Sequence, residues 1–159
     1  MKLKLSALAL IVTGLVSAAP AFAASTTHSL NLSATVSGNC RFTNNGPTAV
    51  TIGNGGGVID PSVATDATGT ANVTFRCTTG TTSAVAANNG THFSGSRRVM
   101  TGLLAMPYSL ALKGDAQLGT GHGAGQDKTL GVTATILVAD FENATAGTYT
   151  DTVILTITP

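Results

Sequence analysis

Residues 147–158 alternate with a period of two: Tyr149, Val153, Leu155 and Ile157 fall on one face, and Thr148, Thr150, Thr152, Thr156 and Thr158 on the other. Successive side chains point to opposite sides only in an extended chain, so the pattern predicts a half-buried β-strand and not an amphipathic helix, whose period is 3.6. Asp151 interrupts the apolar face and Ile154 the polar one, and the sequence by itself assigns a partner to neither. The chain stops at Pro159, directly after this strand, so its outer edge is expected to be open. An open apolar edge invites pairing with other chains unless something covers it.

The same period recurs upstream. Val132, Ala134, Ile136 and Val138 alternate with Thr133 and Thr135, and residues 142–147 supply a turn into the last strand. Strands are predicted over 28–36, 40–43, 48–52, 71–78, 82–87, 104–112, 129–138 and 147–158, separated by segments dense in Gly, Asn, Pro and Asp. Many short strands with frequent turns predict an all-β sandwich of two sheets, with an immunoglobulin-like topology, and argue against an α/β fold. Charged residues are only 9% of the chain; the Val and Ile runs together with so little charge also argue against disorder.

Lys2 and Lys4, the apolar run 5–16 and the Ala21-Phe22-Ala23 site have the layout of a secretory signal peptide over 1–23. The remaining 136 residues suffice for one domain with its own core. Without Lys2 and Lys4 they carry six basic and seven acidic residues, a balance that gives no electrostatic case for nucleic acid. Cys40 and Cys77 both follow the leader, and export to an oxidising compartment makes one disulfide the simplest reading.

After the leader, Leu30, Leu32, Ala34 and Val36 alternate with Ser29, Asn31, Ser33 and Thr35. Periodicity leaves two readings open: an ordinary first strand of its own domain, or a spare amphipathic strand able to cover an open edge elsewhere.

Candidate chemistry is sparse. His28, His92 and His122 are far apart and lack neighbours at metal-ligand spacing, so no metal or cofactor is expected. The glycine-rich 119–125 and 53–57 stretches lack the strand-to-helix context of a phosphate cradle and read as flexible loops, so no small-molecule substrate is expected. There is no Gly-x-Ser-x-Gly elbow, and Asp140 and Glu142 read as solvated turn charges, so the chain is read as a non-enzyme. Arg97 and Arg98 make too small a patch for an anion site and are read as packing or pairing residues. A lectin-like module would need an aromatic platform, and the chain has no Trp, two Tyr and five Phe.

Five blocks in order suggest a family: Gly38-Asn39-Cys40, Val73-Thr74-Phe75-Arg76-Cys77-Thr78, Arg97-Arg98-Val99-Met100, Met106-Pro107-Tyr108-Ser109-Leu110 and Gly147-Thr148-Tyr149-Thr150-Asp151-Thr152-Val153. Together they resemble the spore coat protein U domain, which includes pilin subunits of the archaic chaperone-usher pathway, over roughly residues 28–158. The resemblance implies an incomplete immunoglobulin-like β-sandwich lacking its C-terminal strand, completed by a donor strand from a neighbouring subunit. Residues 24–37 would be the donor segment and 38–159 the pilin domain. Leu30, Leu32, Ala34 and Val36 would be the donor plugs, Val153, Leu155 and Ile157 would line the acceptor groove, and Cys40 and Cys77 would form the structural disulfide. The implied partners are other copies of the chain or related pilins, a periplasmic chaperone and an outer-membrane usher, with export to a surface pilus serving adhesion or biofilm formation. The competing reading is a secreted or spore-coat protein that folds its own N-terminal strand into its own sheet. The 138–142 loop lacks the Gln that family members often carry there, and the 119–125 stretch departs from the pattern too.

Overall fold

The computed structural model describes residues 24–159 except 45, 96 and 103. The predicted leader, 1–23, lies outside the described residues. Thr35–Pro159 form one compact unit. Residues 24–34, the described part of the preceding unit, contain no strand.

Among the described residues eight strands run in the order β1 (Cys40–Phe42), β2 (Ala67–Cys77), β3 (Ala84–Ala87), β4 (Phe93–Ser94), β5 (Arg97–Met100), β6 (Met106–Lys113), β7 (Lys128–Ile136) and β8 (Leu155–Thr158), with the one-turn helix α1 (Val138–Phe141) before β8. The chain is all-β. Among the described residues one antiparallel sheet has the order β1-β2-β7-β6-β5-β4, and β3 pairs with β8 in a second.

The alternation legible in the sequence sets which faces meet. Val73, Phe75 and Cys77 on β2 and Leu130, Val132, Ala134 and Ile136 on β7 are buried. Val85 of β3 and the half-buried Leu155 and Ile157 of β8 pack against them, which joins the two sheets. Each fully buried Leu or Phe contributes about 1.5–3 kcal/mol by leaving water. On the opposite face Thr68 and Thr70 lie across from Thr135 and Thr133, cross-strand pairs that suit β-branched side chains.

Cys40 and Cys77 form the expected disulfide, directly opposite each other on β1 and β2. Asn39 extends that pairing: its carbonyl accepts from Thr78 N at 2.8 Å, and its amide donates to Thr78 Oγ1 at 3.1 Å.

Several sequence expectations shift. Segment 28–36 forms no strand among the described residues, because an isolated amphipathic strand has no ladder partner to order it. Residues 48–52 likewise form no strand, and 147–158 narrows to β8 plus a bridge between Thr101 and Thr150. Strand β7 stops at Ile136, since Asp66 Oδ1 accepts from Val138 N at 3.0 Å and α1 turns the fully buried Phe141 into the core. Arg97 and Arg98, read as packing or pairing residues, lie on β5, where the Arg98 guanidinium donates to Asn88 O from Nε at 3.1 Å and Nη2 at 2.8 Å.

The 119–125 stretch is held in place, contrary to the flexible loop expected of it. Gly119 N donates to Thr81 O at 2.7 Å, Gly121 N to Cys77 O at 3.0 Å, and Arg76 Nη1 to His122 O at 3.0 Å. Arg76 also grips Asp127 through two hydrogen bonds of 2.8 and 2.9 Å. Glycine is required at 119 because a Cβ there would lie 2.7 Å from the Cys77 Cβ and from Cys77 O.

Candidate functional site

The site is built around an edge. Ser83, just before β3, and Val85 within it donate their amides to Gln117 O and Asp115 O, at 2.9 and 3.0 Å. Backbone groups alternate sides along a strand, so Ala84 and Ala86 must turn theirs towards β8, opposite Thr158 and Thr156. The parity continues upstream: Ile154 O accepts from Asn88 N at 3.0 Å, Thr152 O from Thr91 N at 2.9 Å, and Thr150 exchanges bonds with Thr101. Even-numbered residues from 150 to 158 thus face their neighbours, and the backbone groups of Val153, Leu155 and Ile157 point to the opposite edge. No described strand pairs with that edge.

Across from it runs the unpaired 48–52 segment. Between the two lies an open apolar cavity of about 340 Å³, rimmed by Val50 and Ile52 on one side and Val153 and Leu155 on the other. Its floor is Val73, Tyr108, Leu110, Val132 and Ala134 of the large sheet. Val50, Ile52 and Met100 also line a second cavity of about 620 Å³, which continues past Ile59, Met106, Ile136 and Phe141 to Tyr149. The result is a trough with an apolar floor and two rims of unpaired backbone.

One end is shaped by a tight hairpin. Asn54 N donates to Val58 O and Val58 N to Gly55 O, both at 3.2 Å, and Gly57 sits at φ 80°, a left-handed conformation open to glycine. Asn54 then locks the following loop, its Nδ2 donating to Asp60 O at 3.0 Å and its Oδ1 accepting from Asp60 N at 2.8 Å.

Asp151, on the apolar face, finds its reason here. Its side chain is 2% exposed. Oδ1 accepts from the amides of Thr91 (2.9 Å), His92 (3.2 Å) and Thr152 (2.8 Å), and the Tyr108 hydroxyl donates to Oδ2 at 2.6 Å. Burial alone would raise this carboxyl, but the Tyr108 hydroxyl and the three amides outweigh it and hold it below its ordinary 3.8. Burial, followed by the bond to Asp151, pushes the Tyr108 phenol well above its ordinary 10.0. His92, expected to be solvated, is partly exposed with Nδ1 3.3 Å from Asp151 Oδ1. The carboxylate therefore pins the turn at 91–92 and the start of the last segment to β6. Ile154 keeps its place on the polar face through its backbone: its amide donates to Asn88 Oδ1 at 2.9 Å, and its side chain stays 61% exposed.

Of the three expected groove residues, Val153 and Leu155 line the 340 Å³ cavity, while Ile157 packs in the core opposite Val85 and lines neither cavity. Sequence reasoning missed the second rim, Val50 and Ile52, although their alternation in 48–52 was the available signal. Leu30, Leu32 and Val36 are 76%, 83% and 83% exposed. Among the described residues no three His, Cys, Asp or Glu stand together as a metal site.

The family model described as Spore Coat Protein U domain matches residues 26–156. No curated protein matches the chain. Among solved structures, the chain is similar to one from the CsuC-CsuE chaperone-tip adhesion subunit pre-assembly complex of archaic chaperone-usher Csu pili of Acinetobacter baumannii, at 20% identity and a TM-score of 0.47. That likeness covers 77% of this chain and 40% of the other.

Proposed function

Since this chain belongs to the Spore Coat Protein U domain family, we propose that it is a structural subunit of a surface pilus, polymerising by donor-strand complementation. The observation that carries this reading is the trough, whose apolar floor lies between two unpaired backbone rims. Such a site takes an extended segment whose alternate side chains fill the floor while its backbone pairs with the rims, which is β-augmentation. The domain, 38–159, is then an immunoglobulin-like sandwich short of one strand, and residues 24–37 are the segment that another copy needs.

The energetics favour this pairing. Leu30, Leu32 and Val36 are exposed, and burying each is worth about 1.5–3 kcal/mol, or roughly 5–9 kcal/mol together before ordering costs. Ala34 makes a small plug among larger ones. Val153, Leu155, Val50 and Ile52 form the acceptor, and Ile157 supports it from the core. Donation from each copy to the next is a heterologous contact that does not close, so it gives a fibre.

Before assembly the trough is an exposed apolar edge, which calls for a periplasmic chaperone to cover it and an outer-membrane usher to release subunits in order. Export to the cell surface and a part in adhesion or biofilm formation follow from the same reading. Deleting residues 25–36 tests it: the subunit is expected to fold and bind its chaperone yet form no fibres in electron micrographs. Normal fibres from that deletion would refute the proposal. A stable chaperone-free monomer of the intact chain on size exclusion would instead support insertion of the strand into its own domain.

A further inference from the structure

The domain is electrically polar along its strands. Asp60, Asp66 and Glu142 gather where β2 begins and β7 ends, beside α1: Asp66 bonds Val138 N, and Asp60 bonds the Asn54 turn that bridges to Thr68. At the other end of β2, Arg41 lies opposite Arg76, with Lys128 across from Phe75 and Lys113 near the end of β6. Asp115 and Asp127 offset part of that charge, Asp127 by pairing with Arg76. At the acidic end, to which α1 adds Asp140, Arg98 of β5, across from Tyr108 at the start of β6, and its neighbour Arg97 offset part of the charge in turn. A net negative end therefore still faces a net positive one. Eleven residues of β2 place the two poles about 35 Å apart.

The chain leaves the domain at the basic pole, where Asn39 pairs with Thr78. The trough runs from Tyr149, beside the acidic pole, to β8, beside the basic one. Resting on the fibre reading above, we infer that the basic pole of each copy docks on the acidic pole of the next, and that this contact sets the direction in which the donor segment is inserted.

Linker length gives the inference its force. Ser37, Gly38 and Asn39 alone separate the last plug, Val36, from β1, and three extended residues span about 10 Å. That is about one Debye length at 0.1 M salt, so charges on the facing poles interact across the junction. With Val36 at the Tyr149 end of the acceptor, the donor runs antiparallel to β8 and opposite charges meet. With Val36 at the Ile157 end it runs parallel, and basic pole meets basic pole.

Charge exchange tests this in the full mature chain, with growth followed by light scattering. Reversing the acidic pole (Asp60→Lys with Glu142→Lys) or the basic pole (Arg41→Glu with Lys113→Glu) leaves both ends alike in sign. Each pair is expected to slow growth about tenfold at low salt, and the deficit is expected to vanish near 0.5 M. Combining all four substitutions restores complementarity, and growth is expected to return to the wild-type rate. The inference is overturned if the fourfold variant grows no faster than the pairs, or if the pairs match wild type at low salt. Should the charge variants grow normally while the 25–36 deletion does not, the polar contact fails and the donor strand stands. Growth that survives the deletion removes both.

Discussion

Replacing Asp151 with alanine removes an acceptor shared by four donors: the amides of Thr91, His92 and Thr152 and the hydroxyl of Tyr108. A hydrogen bond to a charged group is worth about 1.5–3 kcal/mol net, and a buried donor left without a partner loses its desolvation cost in full. The Thr91 amide keeps Thr152 O as a second acceptor, so three such losses would total roughly 4.5 kcal/mol or more. The trough is open, however, and His92 is partly exposed, so water can enter the vacated space and recover part of it. The expected destabilisation is about 3–5 kcal/mol, a large share of the 5–15 kcal/mol typical of a domain. Tyr108→Phe removes one bond and should cost about 1.5 kcal/mol. Because the two residues share that bond, the double variant should cost less than the sum by about 1 kcal/mol. Urea unfolding of the mature chain, followed by far-ultraviolet circular dichroism, measures all three. A loss below about 1 kcal/mol for Asp151→Ala, or strict additivity with Tyr108→Phe, would refute the view that this carboxylate ties the last segment to the large sheet.

Other outcomes follow from the same geometry. The Asp151 carboxyl sits below its ordinary 3.8, so its contribution is complete above that value and should fade as pH drops through the folded one. The Tyr108 phenol sits above its ordinary 10.0, so its share should be complete below pH 10.0 and fade as pH rises further; urea midpoints across pH, compared with Tyr108→Phe, check both limbs. Replacing Cys40 and Cys77 with serine opens a loop closed over a separation of 37 residues, and roughly 4 kcal/mol should be lost in the same assay. Gly119→Ala drives a Cβ into Cys77 and should cost about 1–3 kcal/mol. Gly123→Ala, whose nearest atom is 3.9 Å away, should change stability by less than about 0.5 kcal/mol.

What the sequence determined by itself was local. Period-two alternation identified β2, β7 and the inward face of the last segment, since the side to which a strand residue points depends only on its parity. The disulfide was expected from two cysteines following a leader-like segment. The donor candidates were equally visible, because Leu30, Leu32, Ala34 and Val36 alternate on their own. Pairing was not visible in the same way. Residues 48–52 and 71–78 read alike as strands, yet β2 has neighbours on both sides while 48–52 forms a bare rim. That difference rests on which segments reach each other across the fold. Asp151 looked like an error in the apolar face until Tyr108, 43 positions earlier, and the 91–92 turn, some 60 positions earlier, came to meet it. Ile154 was settled by Asn88, 66 positions away, and the 119–125 loop by Arg76 and Cys77. Parity is carried by each residue and its neighbours, whereas satisfying a buried charge or leaving an edge open depends on contacts that exist only after the chain has closed on itself.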